Sequence, residues 1–242
     1  MLSLAHHVTL VTGASSGIGR AVALELARHQ TQLCIVGRDP DRLREVESLA
    51  ASMAERVLVF QKDLTLDGDL DELSSHLRRE FGQLDILVHC AGEIVSSELE
   101  AAAIDDFDRQ YRVNVRAPYL LTKNVLSLLK VMPGQVVFVN SSAGLAARAT
   151  VSQFSATQHA VRAMADSLRA EINKYQIRVL SVFPGRTATP RQARIYQREG
   201  RAYQPELLMQ PEDISLMISS ALQLPRTAEV TDISMRPLLK SY

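Results

Sequence analysis

Three glycines near the start of the chain have the spacing of a phosphate-binding turn. Gly13, Gly17 and Gly19 form G-x-x-x-G-x-G where an apolar, strand-like run passes into a helical one. Glycine permits a tight turn and close backbone approach, and the helix N-terminus offers free N–H groups to an anion. A glycine-rich turn that binds nothing is the alternative. The position of these glycines after the first strand of a strand–helix–strand pattern favours a dinucleotide as the ligand.

The end of the second strand-like run, CIVGRDP, bears on the choice of dinucleotide. An acid about twenty residues past the glycines usually binds the ribose hydroxyls of NAD. Gly37 occupies that position without a side chain, and Asp39 before Pro40 is assigned to a helix cap. Arg38 is free to pair with a 2′-phosphate, although a solvated surface arginine is a common alternative. The sequence therefore predicts NADP(H) rather than NAD(H).

The stretch QFSATQHA (153–160) raises a question about proton chemistry. Phe154 and Gln158 are four residues apart, so in a helix they share one face. A tyrosine and a lysine at these positions could move a proton. Phenylalanine has no proton to give, and an amide does not titrate near neutral pH.

The elements that position these residues alternate along the chain. Near-continuous apolar runs, typical of strands buried on both faces, cover 7–12, 32–37, 56–61, 84–90, 135–140, 177–183 and 229–235. Amphipathic stretches predict helices over 17–29, 40–53, 68–81, 104–131, 152–175 and 211–222. The alternation predicts an α/β fold with a Rossmann-type doubly wound parallel sheet of about seven strands. We expect a single domain over 1–242, with an irregular lid or substrate segment over 184–210.

Composition narrows the function classes. Lys+Arg and Asp+Glu number 27 each, so the zero net charge argues against nucleic acid or an anionic membrane as the main partner. No apolar run is long enough to span a bilayer. Cys34 and Cys90 lie in apolar runs outside any C-x-x-C pair, which suits a reducing cytosol, and we expect a cytoplasmic protein. The histidines show no metal-ligand spacing, so no metal is predicted.

Together these residues resemble the short-chain dehydrogenase/reductase family over nearly the whole chain. TGASSGIG (12–19) is similar to the family's cofactor glycine motif, and HCAG (89–92) to its N-N-A-G, with His89 and Cys90 in place of both asparagines. PGRTAT (184–189) is similar to the segment that holds the nicotinamide carboxamide. The resemblance implies these cofactor contacts: Gly13, Ser15, Ser16, Gly17, Ile18, Gly19, Arg38, Asp63, Leu64, Ala91, Gly92, Gln158, Pro184, Gly185, Thr187 and Thr189.

The resemblance also implies catalytic positions. Asn114 in RVNVRAPYLLT matches the asparagine in the middle of the family's fourth helix. The family serine lies three residues before a glycine and thirteen before the tyrosine, which selects Ser141 over the runner-up Ser142. The family's Y-x-x-x-K motif falls on Phe154 and Gln158. The acid and the cation that activates it are therefore both replaced.

Three interpretations follow from these replacements. The chain is an NADP(H)-binding protein whose carbonyl reductase or alcohol dehydrogenase activity is lost or weak, or an active oxidoreductase with a substitute proton donor, or a variant inactivated in the laboratory. Glu93, Tyr196 and Tyr203 are candidate donors, although a rim carboxylate and packed tyrosines are the more common outcomes. The ligand is otherwise expected to be a small carbonyl or alcohol. As the family commonly pairs helices 104–131 and 152–175, we expect a homodimer or homotetramer.

Overall fold

The strands of the computed structural model, which describes residues 2–239, form one parallel sheet in the order β3-β2-β1-β4-β5-β6-β7. This confirms the predicted Rossmann-type doubly wound fold. Residues 1 and 240–242 of the expected domain lie outside the described residues. The strands of the described chain are β1 Val8–Thr12, β2 Gln32–Gly37, β3 Arg56–Gln61, β4 Ile86–His89, β5 Gln135–Val139, β6 Arg178–Pro184 and β7 Asp232–Met235.

Helices cover both faces of this sheet, because alternate strand side chains point to opposite sides. Leu10 of β1 belongs to the core under α3, α5 and α6, whereas Val11 belongs to the core under α1, α2 and α8. The α-helices of the described residues are α1 Gly17–Arg28, α2 Pro40–Ala50, α3 Asp67–Glu80, α4 Ile104–Tyr111, α5 Ala117–Leu129, α6 Ser152–Ile172, α7 Pro190–Arg198 and α8 Pro211–Leu222. No helix within residues 2–239 is long and apolar enough to cross a lipid bilayer.

The helix predicted over 104–131 is interrupted in its middle. A π turn, Arg112–Arg116, separates α4 from α5 and holds Asn114 buried at its centre. The apolar periodicity continues through this turn, so the sequence predicts a single helix there. Single π turns inside helices often mark functional sites, and this one opens toward the carboxyl edge of the sheet.

The segment 184–210, predicted to be irregular, contains helix α7 and the short 3-10 turn Pro205–Leu207. Thr189 caps α7, because its hydroxyl accepts a hydrogen bond of 3.1 Å from Gln192 N, and Pro190 is the first helical residue. The same kind of signal is present at α2, where Asp39 accepts from Asp41 N and Arg42 N as predicted. The prediction of an irregular segment was therefore wrong over Pro190–Arg198, where a Thr-Pro cap signal was present.

Candidate functional site

A cleft of about 780 Å³ lies at the carboxyl ends of the parallel strands, where β1 and β4 are neighbours. Ligands of open α/β sheets bind at such a point, because the connections leave the two strands on opposite faces. The cleft walls contain every residue singled out from the sequence as a cofactor contact, from the glycine turn to Thr189. They also contain the four positions singled out as catalytic, which are Asn114, Ser141, Phe154 and Gln158.

The glycine turn forms one end of the floor. Gly13 has φ +66°, and a Cβ there would lie 2.7 Å from the backbone nitrogen of Ala91. A Cβ on Gly19 would overlap the carbonyl oxygen of Gly13, so α1 begins directly against the turn. The side chain of Ser16, the N-cap residue of α1, does not cap the helix. The first-turn N–H groups of α1 are thus left for an anion.

Thr12 joins this turn to the end of β4. Its hydroxyl oxygen accepts hydrogen bonds from Cys90 N at 3.1 Å and Ala91 N at 3.2 Å. Two backbone donors that follow β4 are thereby satisfied by one side chain of β1. The contact fixes Ala91 and Gly92 beside the glycine turn, which is where the sequence motif places them.

At the other end of the floor, beyond β2, lies Arg38. It is exposed, lines the cleft and forms no ion pair within the described residues, whereas the neighbouring Arg42 pairs with Asp39 at 3.2 Å. Asp63 Oδ1 accepts from the backbone and hydroxyl of Thr65 at 3.0 and 2.8 Å. Arg38 is therefore the uncommitted cation at this end.

Asn114 connects the loop after β4 to α6. Its Oδ1 accepts from Glu93 N at 2.7 Å, and its Nδ2 donates to Glu93 O at 2.8 Å and Thr157 Oγ1 at 3.0 Å. Both hydrogens of the side-chain amide and one lone pair of its oxygen are used by these three bonds. In this structure Asn114 thus positions the wall of the cleft.

Asn140, which was not identified from the sequence, connects the end of β5 to α6. Its Nδ2 donates to the backbone oxygen of Gln158 at 2.9 Å, and its Oδ1 accepts from Ser141 N at 2.7 Å. Ser141 Oγ accepts from Ala143 N at 3.2 Å. Ser141 lines the cleft, whereas the runner-up Ser142 does not. The sequence signal that could have identified Asn140 is its position as a polar residue directly after the apolar run QVVFV.

Phe154 and Gln158 lie one turn apart on the face of α6 that closes the cleft. Both are buried, with 8% and 6% of their surface exposed. Gln158 Nε2 is 3.4 Å from Thr157 Oγ1, a long hydrogen bond that leaves the amide free to bind another group. This wall therefore offers a phenyl ring and an amide, neither of which exchanges a proton near neutral pH.

The candidate substitute donors are engaged elsewhere. Glu93 lines the cleft, but its Oε1 accepts from Arg109 Nε at 2.6 Å. Tyr196 and Tyr203 pack edge to face with ring centroids 5.6 Å apart, and neither belongs to the cleft walls. Arg186 lies over the Tyr196 ring at 4.7 Å. The tyrosines therefore pack the segment 184–210 internally.

His89 and Cys90 line the cleft, and the side chain of His89 is buried. The His89 ring stacks on Phe138 with centroids 4.9 Å apart, and its Nε2 bonds Thr122 Oγ1 at 2.9 Å. Burial lowers the pKa of His89 to about 3 and raises the pKa of the Cys90 thiol to about 12. Both groups are thus neutral at physiological pH. Among residues 2–239, no His, Cys, Asp and Glu side chains form a cluster of three or more that could hold a metal ion.

Helix α7 adds a feature that the sequence reading did not assign. Arg191, Arg194 and Arg198 all line the cleft, and Arg191 donates a hydrogen bond to the carbonyl oxygen of Gly92. Their spacing of three and four residues was visible in the sequence. This spacing indicates a shared face only in a helix, and the segment was expected to be irregular.

Comparison with known proteins agrees with the fold and the motifs. A family model for short chain dehydrogenases matches residues 7–200. An uncharacterized short-chain type dehydrogenase/reductase from Sinorhizobium fredii is 35% identical over 237 residues, which cover 96% of this chain and 92% of the relative. An uncharacterized oxidoreductase from Staphylococcus aureus (strain N315) is 30% identical over 241 residues, covering 98% of this chain and 100% of the relative.

Solved structures show the same architecture. A candidate short chain dehydrogenase from Escherichia coli CFT073, complexed with NADPH, superposes with a TM-score of 0.86 at 27% identity, covering 96% of this chain and 98% of that one. An alcohol dehydrogenase from the archaeon Thermococcus sibiricus, complexed with 5-hydroxy-NADP, superposes with a TM-score of 0.87 at 24% identity, covering 98% and 99%.

The buried His89 predicts a specific acid sensitivity. Its pKa is about 3 when folded and near 6.5 when unfolded, so between these values only the unfolded chain binds the extra proton. The free energy of unfolding should therefore fall as pH drops through this window, by about 1.4 kcal/mol per pH unit from this group. Urea titrations at pH 7 and pH 5 measure this change. Between the two pH values the free energy of unfolding should fall by about 2 kcal/mol less in His89→Asn than in the unchanged protein.

The matched control is His159→Asn, which removes an exposed histidine of α6. It should keep the full decline in stability between pH 7 and pH 5. An equal decline in the His89→Asn variant would contradict the assignment of a neutral, desolvated His89.

Proposed function

This chain belongs to the short-chain dehydrogenase family, and on that premise we propose that it binds NADP(H) but has lost, or retains only weakly, the family's carbonyl reductase or alcohol dehydrogenase activity. The observation on which the proposal rests is the pair Phe154 and Gln158 in the cleft wall, where the family resemblance places a tyrosine and a lysine. The scaffold is that of an oxidoreductase. The active site is atypical.

The cleft fits a dinucleotide by its own geometry. The uncapped first turn of α1 and the glycine at φ +66° provide a backbone surface for the pyrophosphate. Ala91, Gly92 and Thr189 border the space beside the turn, and the amide of Gln158 can donate to ribose hydroxyls. These contacts use backbone and neutral groups, so they do not depend on the missing lysine.

NADP(H) fits this cleft better than NAD(H). Gly37 offers no carboxylate to the ribose hydroxyls, and the exposed Arg38 has no acidic partner within 2–239. A guanidinium binds phosphate through paired hydrogen bonds. The NADPH in the Escherichia coli neighbour supports the same choice.

The chemistry explains why catalysis should suffer more than binding. When bound, NADPH supplies a hydride. The chain must then deliver a proton to the substrate oxygen, and Phe154 has none. Ser141 can still donate a hydrogen bond to that oxygen, but an alcohol is too weak an acid to replace an activated phenol. Loss of general acid catalysis typically costs about 10²- to 10⁴-fold in rate.

We further propose that the protein is cytoplasmic and assembles as a homodimer or homotetramer. Large apolar side chains remain exposed on the helices expected to pair, including Tyr111 of α4 and Tyr119 of α5, at 49% and 58%. Tyr175, after α6, is also exposed. A two-fold interface over α4, α5 and α6 would cover them.

Cofactor preference is tested by exchanging the charge at Arg38. NADPH should bind more tightly than NADH, and Arg38→Asp should narrow or reverse that preference. Losing a charged hydrogen bond of about 1.5–3 kcal/mol corresponds to about a 10- to 150-fold weaker NADPH affinity. Arg44→Asp, an equal charge change on exposed α2, is the control and should leave the preference intact. Equal affinities of the unchanged protein for the two cofactors would refute the assignment.

The assembly is tested by analytical ultracentrifugation at micromolar concentration, where we expect at least a dimer. Tyr119→Glu places a charge on the proposed interface and should shift the mass toward the monomer, because a buried unpaired charge is costly. The control Leu49→Glu places a charge at an exposed position of α2 and should leave the mass unchanged. A monomeric mass for the unchanged protein would contradict the proposal.

The catalytic assignment is tested by restoring both groups. Phe154→Tyr combined with Gln158→Lys should raise NADPH-dependent reduction of a carbonyl panel by about 10²-fold or more. Phe154→Tyr alone should do less at pH 7, because a phenol without a nearby cation keeps a pKa near 10. Adding Ser141→Ala to the double variant should remove most of the gain.

Two results would change the interpretation. If the unchanged protein already reduces a carbonyl at an ordinary rate and Glu93→Gln abolishes the activity, Glu93 is a substitute acid and the chain is an active reductase. If the double variant binds NADPH yet reduces nothing in a broad panel, the substrate part of the cleft has diverged as well.

A further inference from the structure

The cleft side of α7 carries an unusual charge arrangement. Arg191, Arg194 and Arg198 follow one another by three and four residues, so they share one face of the helix, here named the arginine face. All three line the cleft. Within the described part of the chain, none of them forms an ion pair with an acidic side chain.

Arginines in the last turns of α1 and α6 are arranged differently. Arg28 of α1 and Arg169 of α6 each bind an acid three residues earlier, Glu25 and Asp166, both at 2.8 Å. On α7 the equivalent spacings join arginine to arginine. Like charges at these spacings destabilise a helix, so the arrangement lacks the local stabilisation found elsewhere in the molecule.

The nearest carboxylates are already occupied. Glu93, at the cleft rim, is bound by Arg109 at 2.6 Å. Glu199, at the end of α7, pairs with Arg186 at 2.9 Å and with Arg201 at 3.4 Å. Within residues 2–239, the arginine face therefore has no carboxylate paired directly with it.

The position of the arginine face separates it from the glycine turn. Thr189, which caps α7, is the residue that a Cβ on Gly17 would meet, at 3.1 Å. From there the helix rises about 1.5 Å per residue, so Arg194 and Arg198 lie about 7 and 13 Å further along its axis. Arg191 reaches Gly92 O, next to Asn114 and the wall formed by α6.

We propose that the arginine face binds a carboxylate or phosphate group of the ligand that shares the cleft with the cofactor. A guanidinium recognises both groups through paired, charge-assisted hydrogen bonds. The ligand class is then an organic anion, held by its charged group along α7 while its other end lies near Phe154. This inference rests on the proposed function only for the presence of a dinucleotide in the same cleft.

The test titrates NADPH-saturated protein with inorganic phosphate and, separately, with succinate by calorimetry at constant ionic strength. Saturation occupies the sites for the cofactor's own phosphates. One of the two anions should bind, and Arg194→Gln combined with Arg198→Gln should weaken that binding by at least about tenfold. The same double variant should keep its NADPH affinity. Arg44→Gln combined with Arg79→Gln, an equal charge change at exposed sites, should alter neither.

Several outcomes would overturn the proposal. The proposal fails if neither anion binds to the NADPH-loaded protein. It also fails if the control variant weakens anion binding as much as the α7 variant does. A parallel loss of NADPH and anion affinity would assign the arginine face to the cofactor's pyrophosphate instead. If NADPH does not bind the unchanged protein, the proposed function fails. The anion titrations of the α7 variant and of the control variant without NADPH then decide the inference about the arginine face.

Discussion

Contact between two backbone segments at the carboxyl edge of the sheet is the constraint on which the cleft depends. Gly13 approaches Ala91 so closely that any side chain at position 13 would overlap its backbone nitrogen. The hydroxyl of Thr12 holds the same segment by two hydrogen bonds. The chain leaves β1 and β4 toward opposite faces of the sheet, so this contact closes the floor while the space above it stays open.

Two neutral amides hold the walls above that floor on the side of α6. Asn114 links the loop after β4 to Thr157, and Asn140 links Ser141 to the backbone of Gln158. A lysine at position 158 would bury an ammonium group in a largely enclosed wall, which is unfavourable without a charged or strongly polar partner. Gln158 avoids that cost, so a neutral amide at this position is compatible with an intact cleft. Geometry and proton chemistry are therefore separable in this fold.

Much of this architecture could be predicted because it depends on local patterns. Buried parallel strands are continuous apolar runs, and Asp39-Pro40 gives a helix start that the structure confirms. The π turn at Asn114 was not predicted, since the apolar pattern continues through it and the partners of Asn114, Glu93 and Thr157, are 21 and 43 residues away in the chain. The arginine face was missed for a related reason. Helical spacing is informative only once α7 is known to be a helix beside the cleft.

The zero net charge of the chain hides a strongly uneven distribution. Three features that attract anions converge on one cleft, namely Arg38 beyond β2, the free N-terminus of α1 and the arginine face of α7. Two of the acids in its walls are paired, Glu93 with Arg109 and Asp39 with Arg42. Low-dielectric walls focus such a field and favour the entry of negatively charged ligands. The cleft therefore combines several groups that attract anions with two α6 side chains, Phe154 and Gln158, that exchange no proton near neutral pH.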